Sequence, residues 1–255
     1  MFNNRPLIHL IIVGLFLLGT KPASAQLSAE SSAKTNHLLS QVRFKPPPGQ
    51  GKPKRTSGAG TRQKWLCPQD AISAATSNIL LDKPSAIALV PPNSNYGLTV
   101  AERPTFLVYL PQISAKQVVL SLIEEGTQHY SQTFFSITGK PGIVALNIPN
   151  SSPPLEVGKN YEWAVVLICG EKPSPNDPII ASWVRRVALP QPLTSQRVSL
   201  EQANWYGEKG IWYDALTTLA RIRKAQPNSK AVTGIWTNFL KSVGLEVVVT
   251  EPFQF

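Results

Sequence analysis

The sequence predicts a mainly β domain followed by a helical C-terminal region. Two observations support this prediction. Residues 84–190 consist of short apolar segments separated by Gly, Pro and Asn, which is the pattern of strands joined by turns. From Ser199 onward the apolar residues recur at helical spacing instead. The chain therefore changes from β to α structure near residue 190.

Eight segments have the length and composition of strands, and turn residues separate them at intervals typical of an antiparallel β-sandwich. Pro91-Pro92-Asn93, Glu125-Gly126 and Gly139-Lys140-Pro141-Gly142 are among these turn sequences. The candidate strands are Ala86–Val90, Leu98–Ala101, Thr105–Leu110, Gln117–Ile123, Tyr130–Ile137, Ile143–Ile148, Asn160–Cys169 and Ile179–Ala188.

The seventh candidate strand narrows the class of sandwich. Its alternate residues from Tyr161 to Cys169 are apolar or aromatic, so they share one face. Leu155 and Gly158 precede Tyr161 at the spacing Leu-x-x-Gly-x-x-Tyr. This spacing resembles the tyrosine corner of immunoglobulin-like and fibronectin type III sandwiches, which is a folding feature without chemical consequence.

The last candidate strand carries two adjacent arginines, Arg185 and Arg186. We interpret them as charges that protect an edge strand from aggregation. Binding of an anion by the pair is the alternative.

The C-terminal region, residues 191–255, predicts three helices. Ser199 and Gln202 form a capping box for a helix that ends near Lys209, and helices over 211–225 and 230–243 follow. Gly244 is expected to end the third helix, and residues 246–250 are expected to form a final strand. The first two helices resemble one tetratricopeptide unit, through the spacing of Tyr206, Gly210, Trp212, Ala215, Leu219 and Pro227.

A single unit of that kind cannot bury its own apolar face. We therefore expect the helical region to pack on the sandwich as core, with its aromatic stripe facing inward. The alternative is that part of the stripe forms a groove for a partner.

The first 25 residues predict a secretory signal peptide. Arg5 precedes an apolar stretch over 7–18, and Ala23-Ser24-Ala25 forms the expected cleavage site. The apolar stretch is shorter than the roughly 20 residues that span a bilayer. We expect a mature chain that starts at Gln26, lies in the periplasm or outside the cell, and has no transmembrane span. An uncleaved N-terminal anchor is the alternative.

Residues 26–66 predict a disordered, basic leader rich in Pro and Gly. They contain eight Lys or Arg and one Glu, whereas residues 67–255 contain fifteen basic and fourteen acidic residues. Few large apolar side chains are present to offset the ordering entropy. Contact with an anionic surface through Lys52, Lys54, Arg55 and Arg62 is one function for this segment. A solvated linker is the interpretation we favour, and nucleic acid is not an expected partner.

Two cysteines, Cys67 and Cys169, predict a disulfide in an oxidising compartment. No Cys or His lies at metal-ligand spacing from either of them, so no metal site or cofactor is expected. The bridge would join the end of the leader to the sandwich domain, residues 67–190.

Three linear motifs resemble a known family. They are Gly58-Ala59-Gly60-Thr61-Arg62 before Cys67, Ala88-Leu89-Val90-Pro91-Pro92 before Tyr96-Gly97, and Gly210-Ile211-Trp212-Tyr213-Asp214-Ala215-Leu216. Together with the basic leader they resemble the cyanobacterial domain of unknown function 928 family, over about residues 45–245. The resemblance implies an extracytoplasmic location. It implies no activity, substrate or catalytic residue.

Catalytic motifs are missing from the sequence. The mature chain has two histidines, His37 and His129, and no nucleophile motif, phosphate-binding loop or metal-spaced His cluster. Glu124 and Glu125 are adjacent, so their side chains would point oppositely on a strand. We predict an exported, non-catalytic binding or scaffold protein of the cell envelope, whose partner is an envelope protein or an anionic surface.

The alternative function is an extracytoplasmic hydrolase acting on an envelope polymer. Two facing acids with perturbed pKa values in a pocket would favour it. For the binding function, Tyr96 and Trp236 are the predicted contact residues, because aromatic side chains contribute much of the binding energy at interfaces.

Overall fold

The computed structural model describes residues 41–49, 66–70, 85–127, 130–189 and 198–255. All of them belong to one compact unit, Leu39–Phe255. Eight strands form a three-stranded and a five-stranded sheet. The strands are β1 (Ile87–Ala88), β2 (Tyr96–Thr99), β3 (Thr105–Leu110), β4 (Gln117–Glu124), β5 (Tyr130–Ser136), β6 (Gly142–Asn147), β7 (Asn160–Ile168) and β8 (Ile179–Arg186).

Each of the eight candidate strands is present, and the predicted fold class, mainly β with C-terminal helices, is confirmed. The sheet orders are β1-β3-β6 and β2-β8-β7-β4-β5. Strands β1, β3 and β6 occupy the places of A, B and E in an immunoglobulin-type sandwich, and β4, β7 and β8 those of C, F and G. Phe106 of β3 stacks on Trp163 of β7 across the interface between the sheets, at a centroid distance of 4.7 Å.

The sandwich is not purely antiparallel, which corrects the prediction. Strand β2 pairs with β8 in parallel, with Tyr96 opposite Trp183. The chain leaves β1 and reaches β2 through Pro91-Pro92, and proline has no N–H to continue a ladder. The edge segment is thus broken at the prolines. Its first part pairs in one sheet and its second part in the other.

Strand β8 is not an edge strand, so the interpretation of Arg185 and Arg186 as edge protection is wrong. Strands β2 and β7 flank β8 on its two sides. The Arg186 guanidinium donates to the carbonyl oxygens of Leu155 at 2.7 Å and Val100 at 3.4 Å, and to Glu102 at 3.1 Å. Arg186 thereby ties two loops to the sheet.

The tyrosine corner predicted from spacing is formed. The backbone N–H of Glu156 donates to the Tyr161 hydroxyl at 3.0 Å, and the Leu155 side chain is buried. The inward face of β7, which includes Trp163, Val165 and Leu167, is fully buried. These residues build the core of the five-stranded sheet.

Three helices follow the sandwich: α1 (Leu200–Glu208), α2 (Trp212–Ala225) and α3 (Lys230–Lys241). The Ser199 side chain caps α1 by accepting from the Gln202 N–H at 3.2 Å. Beyond α3 the Leu245 N–H donates to the Leu240 carbonyl at 3.0 Å, in the manner expected of a glycine-ended helix.

The final strand expected over residues 246–250 is absent. Glu246–Val248 form a short 3₁₀ helix instead. Val248 and Val249 are both buried, whereas a strand would direct neighbouring side chains to opposite faces. Packing has therefore overridden β-propensity. Further on, Phe253 forms an isolated parallel bridge with Ile143 beside the edge of β6.

The helical region shares one hydrophobic core with the sandwich, which confirms that the aromatic stripe faces inward. Trp212 is fully buried, and its indole N–H donates to the Leu89 carbonyl at 2.8 Å. Gly97 of β2 allows this close approach, because a Cβ there would lie 2.8 Å from the Tyr213 ring. The two helices are part of the domain interior.

Part of the leader is ordered, so the prediction of a disordered segment over 26–66 is wrong for residues 41–49. Val42 is 5% exposed, and the Phe44 ring contacts Trp212 edge-on at 4.8 Å. The Lys45 N–H donates to the Gly207 carbonyl at 3.0 Å. A Cβ at Gly207 would lie 2.1 Å from the Arg43 carbonyl oxygen, so the glycine is needed for this contact.

Residues 41–49 pack on the domain because Val42 and Phe44 are apolar residues two positions apart within a polar segment. They cover the surface of α1 and α2, and Lys45 adds an ion pair with Glu208. Composition averaged over the leader obscures this local pattern. Within the described parts of the chain, no helix is long and apolar enough to cross a membrane.

Candidate functional site

A cavity of about 190 Å³ lies where the loop between β2 and β3 meets α1 and α2. Its walls come from both parts of the domain, so neither the sandwich nor the helices form it alone. It is lined by Thr99, Ala101, Arg103, Pro104, Thr105, Val198, Gln202, Tyr206, Tyr213, Asp214, Thr217, Thr218 and Arg221.

Helical spacing brings the polar wall residues together. On α2, Asp214, Thr217, Thr218 and Arg221 recur at three- and four-residue intervals, so they share one face of that helix. Gln202 and Tyr206 of α1 are four residues apart and face the same cavity. The opposite face of α2 carries the apolar stripe that packs on the sandwich.

Asp214 is the acid of this cavity. Its Oδ2 accepts hydrogen bonds from the Thr99 hydroxyl at 2.8 Å and from the Val100 N–H at 3.1 Å. Desolvation by burial raises the pKa of Asp214 to about 6, and the two hydrogen bonds oppose this rise. The carboxyl group therefore fastens α2 to the end of β2.

Two arginines contribute positive charge to the lining. Arg103 donates to three backbone carbonyls, those of Pro149, Asn150 and Ser152, at 2.9–3.3 Å. Its guanidinium also pairs with the Glu102 carboxylate, at 3.9 Å. Arg221 is exposed at the end of the polar face of α2. Against these two positive charges, the described residues of the wall include one acid, Asp214.

Several hydroxyl groups of the cavity wall already form hydrogen bonds within the protein. The Thr218 hydroxyl donates to the Asp214 carbonyl at 2.7 Å, and the Thr105 hydroxyl donates to Asn147 at 2.7 Å. The Thr99 hydroxyl accepts from the Ala101 N–H at 3.1 Å besides donating to Asp214. Among the described residues, no protein partner is found for the side chains of Thr217 and Arg221.

The cavity can hold a polar or anionic group in a fixed frame. Among the described residues, the lining contains one acid, Asp214, and no pair of facing acids. No cluster of three or more His, Cys, Asp or Glu suited to a metal ion occurs in the described ranges. The chemistry that the wall supports directly is hydrogen bonding and charge pairing.

The structure contains the predicted disulfide. Cys67 and Cys169 are bonded, with their Cα atoms 5.4 Å apart and a sequence separation of 102 positions. The Gln69 amide donates to the Cys169 carbonyl at 2.9 Å, and the Ser114 N–H donates to Asp70. The segment that begins with Cys67 is thus fixed to the end of β7.

The two predicted contact residues are buried and belong to different hydrophobic clusters. Tyr96 is 5% exposed and packs with Leu98 and Trp183 on the outer face of the five-stranded sheet. Trp236 is 0% exposed and lies in the main core. In this structure neither ring offers a surface that a partner would reach.

The predicted anionic-surface residues Lys52, Lys54, Arg55 and Arg62 lie outside the described residues, as do His37 and His129. The side chains of Glu124 and Glu125 each have a partner within the protein. Lys159 pairs with Glu124 at 2.9 Å, and the Asn160 amide donates to Glu125 at 2.7 Å.

The cavity residues were not predicted from the sequence. Asp214 lies within the motif Gly210–Leu216, but its significance depends on Thr99, which is 115 positions away in the chain. One signal was available, namely the polar residues at 214, 217, 218 and 221 on a helix whose opposite face is apolar. Their spacing indicates a second, polar face that must meet solvent, a ligand or another element.

The comparison with protein families agrees with the motifs in the sequence. The model of the family described as Domain of Unknown Function (DUF928) matches residues 57–253. The chain belongs to the DUF928 family. The matched range includes the disulfide, both sheets and the three helices, so the cavity is formed entirely within the DUF928 region.

A search of curated proteins finds no match. Among solved structures, the chain is similar to the fn3 domain of human collagen alpha-1(XX) chain, at 15% identity and a TM-score of 0.24. That similarity covers 40% of this chain and 93% of the fn3 domain.

Proposed function

We propose that this DUF928 protein is exported by the secretory route and acts in the cell envelope as a non-catalytic binding or scaffold protein. The observation that carries the proposal is the preformed polar cavity between the sandwich and the helices. Its frame is fixed by buried contacts, and its acid, Asp214, already holds Thr99 and Val100. A rigid frame with polar groups on its wall is suited to recognition.

Export is supported by two independent features. Residues 1–25 have the order of charge, apolar stretch and small residues that a secretory signal requires. The Cys67–Cys169 bridge is of a kind that persists in oxidising compartments. Intact mass of the exported protein tests this part. A mass corresponding to a start at Gln26 supports it, and a product that retains residues 1–25 contradicts it.

Binding is tested with the mature protein and washed envelope fractions from the source cells. We expect retention of the protein by peptidoglycan, polysaccharide or outer-membrane material, measured by co-sedimentation. A matched sample with the disulfide reduced and the protein unfolded controls for nonspecific adhesion. Absence of retention by any fraction at physiological salt contradicts the binding function.

Contact of the leader with an anionic surface is tested by the salt dependence of adsorption to anionic vesicles. Replacement of Lys52, Lys54, Arg55 and Arg62 by Gln should weaken adsorption to anionic vesicles at low salt. The effect should fade near 0.1 M salt, where exposed charges are screened beyond about 10 Å. Equal adsorption of both proteins at low salt would show that this part of the leader is a solvated linker.

The hydrolase is the second candidate, and the raised pKa of Asp214 is the observation in its favour. Carboxylate-based hydrolysis of glycosidic bonds uses two acids, whereas the described residues of the cavity lining include one. Release of soluble fragments from envelope polymers by the purified protein, abolished by Asp214→Asn, would replace the binding function by the hydrolase.

A further inference from the structure

Two wall groups of the cavity are positioned to meet a ligand. Thr217 and Arg221 are four residues apart on α2, so their side chains extend over the same part of the helix surface. Both line the cavity, and neither is bound to another group in the described part of the chain. The neighbouring wall residues Thr99, Thr105 and Thr218 use their hydroxyls within the protein.

The charge of the wall favours an anion. Within the part of the chain that the structure describes, the cavity is lined by two guanidinium groups, those of Arg103 and Arg221, and by one carboxyl group. Arg103 is held in place by three backbone carbonyl oxygens, and its carboxylate partner, Glu102, lies outside the lining at 3.9 Å. The Asp214 carboxyl is held at Oδ2 by the Thr99 hydroxyl and the Val100 N–H, at the end of β2. An arginine guanidinium can donate two parallel hydrogen bonds to the oxygens of one carboxylate or phosphate group.

The size of the cavity limits the ligand. Pockets that enclose a drug-sized molecule measure roughly 300–1,000 Å³. This cavity, at about 190 Å³, is smaller and suits one sugar ring or one end of a longer chain. Thr217 offers a hydroxyl for neutral sugar hydroxyls, and Gln202, whose side chain also hydrogen-bonds Tyr206, offers the remaining hydrogen-bonding capacity of its amide.

We propose that this cavity binds one acidic sugar residue, with Arg221 on its anionic group and Thr217 and Gln202 on its hydroxyls. Arg103 supplies a second positive charge from the β2–β3 loop. The inference deepens the proposed binding function and rests on it, because it names an acidic saccharide of the envelope as the bound chemistry.

The first experiment measures affinity of the full mature protein for small probes by calorimetry. Glucuronate and glucose 6-phosphate present an anion on a sugar ring, glucose presents the ring alone, and inorganic phosphate presents the anion alone. We expect binding of at least one anionic sugar that is stronger than binding of glucose and of phosphate. Equal affinity for phosphate and the anionic sugars, or no binding of either anionic sugar, overturns the proposal. The anionic sugar that binds more tightly shows whether the site prefers a carboxylate or a phosphate group.

The second experiment assigns the site. Arg221→Gln should weaken binding of the better probe at least about tenfold, because a hydrogen bond to a charged group is lost. Thr217→Val, which keeps the shape of the side chain, should weaken it less. Lys241→Gln removes a positive charge from the exposed end of α3 and should leave affinity unchanged.

Arg221 is exposed, so its replacement is expected to leave the melting temperature within the range of surface substitutions. A variant Arg221→Lys separates bidentate recognition from charge alone, and a partial loss of affinity is expected. Unchanged probe affinity in Arg221→Gln contradicts the assigned site. Retention on envelope fractions in the absence of any probe binding would overturn this inference alone, whereas loss of retention overturns the proposed function.

Discussion

The indole N–H of Trp163 in β7 donates to the hydroxyl of Tyr213 in α2 at 2.6 Å, and both side chains are buried. The same hydroxyl donates to the Trp183 carbonyl in β8 at 2.9 Å. One hydroxyl thus links the central strands of the five-stranded sheet to the second helix. Burial raises the pKa of Tyr213, so the hydroxyl stays protonated and able to donate.

Tyr213→Phe should destabilise the fold by about 1–3 kcal/mol, because it leaves a buried N–H and a buried carbonyl without their partner. Urea unfolding followed by tryptophan fluorescence measures the loss. Tyr109→Phe is the matched control, since its ring is also buried and no hydrogen bond to its hydroxyl is seen in the described chain. An equal effect of both substitutions would show that the linkage contributes no stability of its own.

Reduction of the Cys67–Cys169 bridge should lower the free energy of unfolding by about 4–5 kcal/mol in the chain-entropy model for a loop of this length. Thermal unfolding with and without reductant measures the change, and Cys67→Ala/Cys169→Ala should match the reduced protein. A free-thiol assay on unfolded, unreduced protein should detect none. Two free thiols would contradict the bridge.

The raised pKa of Asp214 predicts a specific pH dependence of the free energy of unfolding. Its pKa is raised to about 6 from an ordinary value of 3.8, so the folded state binds the proton more tightly than the unfolded state. The stabilising contribution is complete below about pH 4 and is lost as the pH rises through 6, by up to about 3 kcal/mol. We expect the difference in stability between the wild type and Asp214→Asn to change across this window. A constant difference from pH 4 to 7 would contradict the raised pKa.

Phe44→Ala should destabilise the domain by about 2 kcal/mol, which is below the usual loss for a fully buried phenylalanine because this ring is half-buried. Pro48→Ala, in the same segment but exposed, is the control and should have little effect. Thermal unfolding measures both. If Phe44→Ala leaves the melting temperature unchanged, residues 41–49 contribute nothing to the stability of the fold.

The sequence by itself determined the strands, the helices and the tyrosine corner of this protein. Each depends on local information: the alternation along β7, the three- and four-residue spacing along α2, and the Leu155–Tyr161 interval. Period and turn chemistry act over a few residues and can be recognised without knowing what packs against them.

Other features depended on contacts between distant segments. The parallel pairing of β2 with β8, the inner position of Arg186 and the packing of Phe44 on Trp212 each join residues that are far apart in the chain. The short run at 246–250 has strand composition, yet burial of Val248 and Val249 gives it a 3₁₀ turn. Local propensity is weak compared with the burial of apolar side chains.

The cavity likewise depends partly on local spacing and partly on contacts between distant segments. The sequence places Asp214, Thr217 and Arg221 on one face of a helix, which local spacing alone establishes. Only the tertiary structure brings Thr99 and Arg103 from the sandwich to that face and raises the pKa of Asp214 by burial. Desolvation and charge depend on everything that surrounds a group, and chain folding assembles those surroundings from segments more than 100 residues apart.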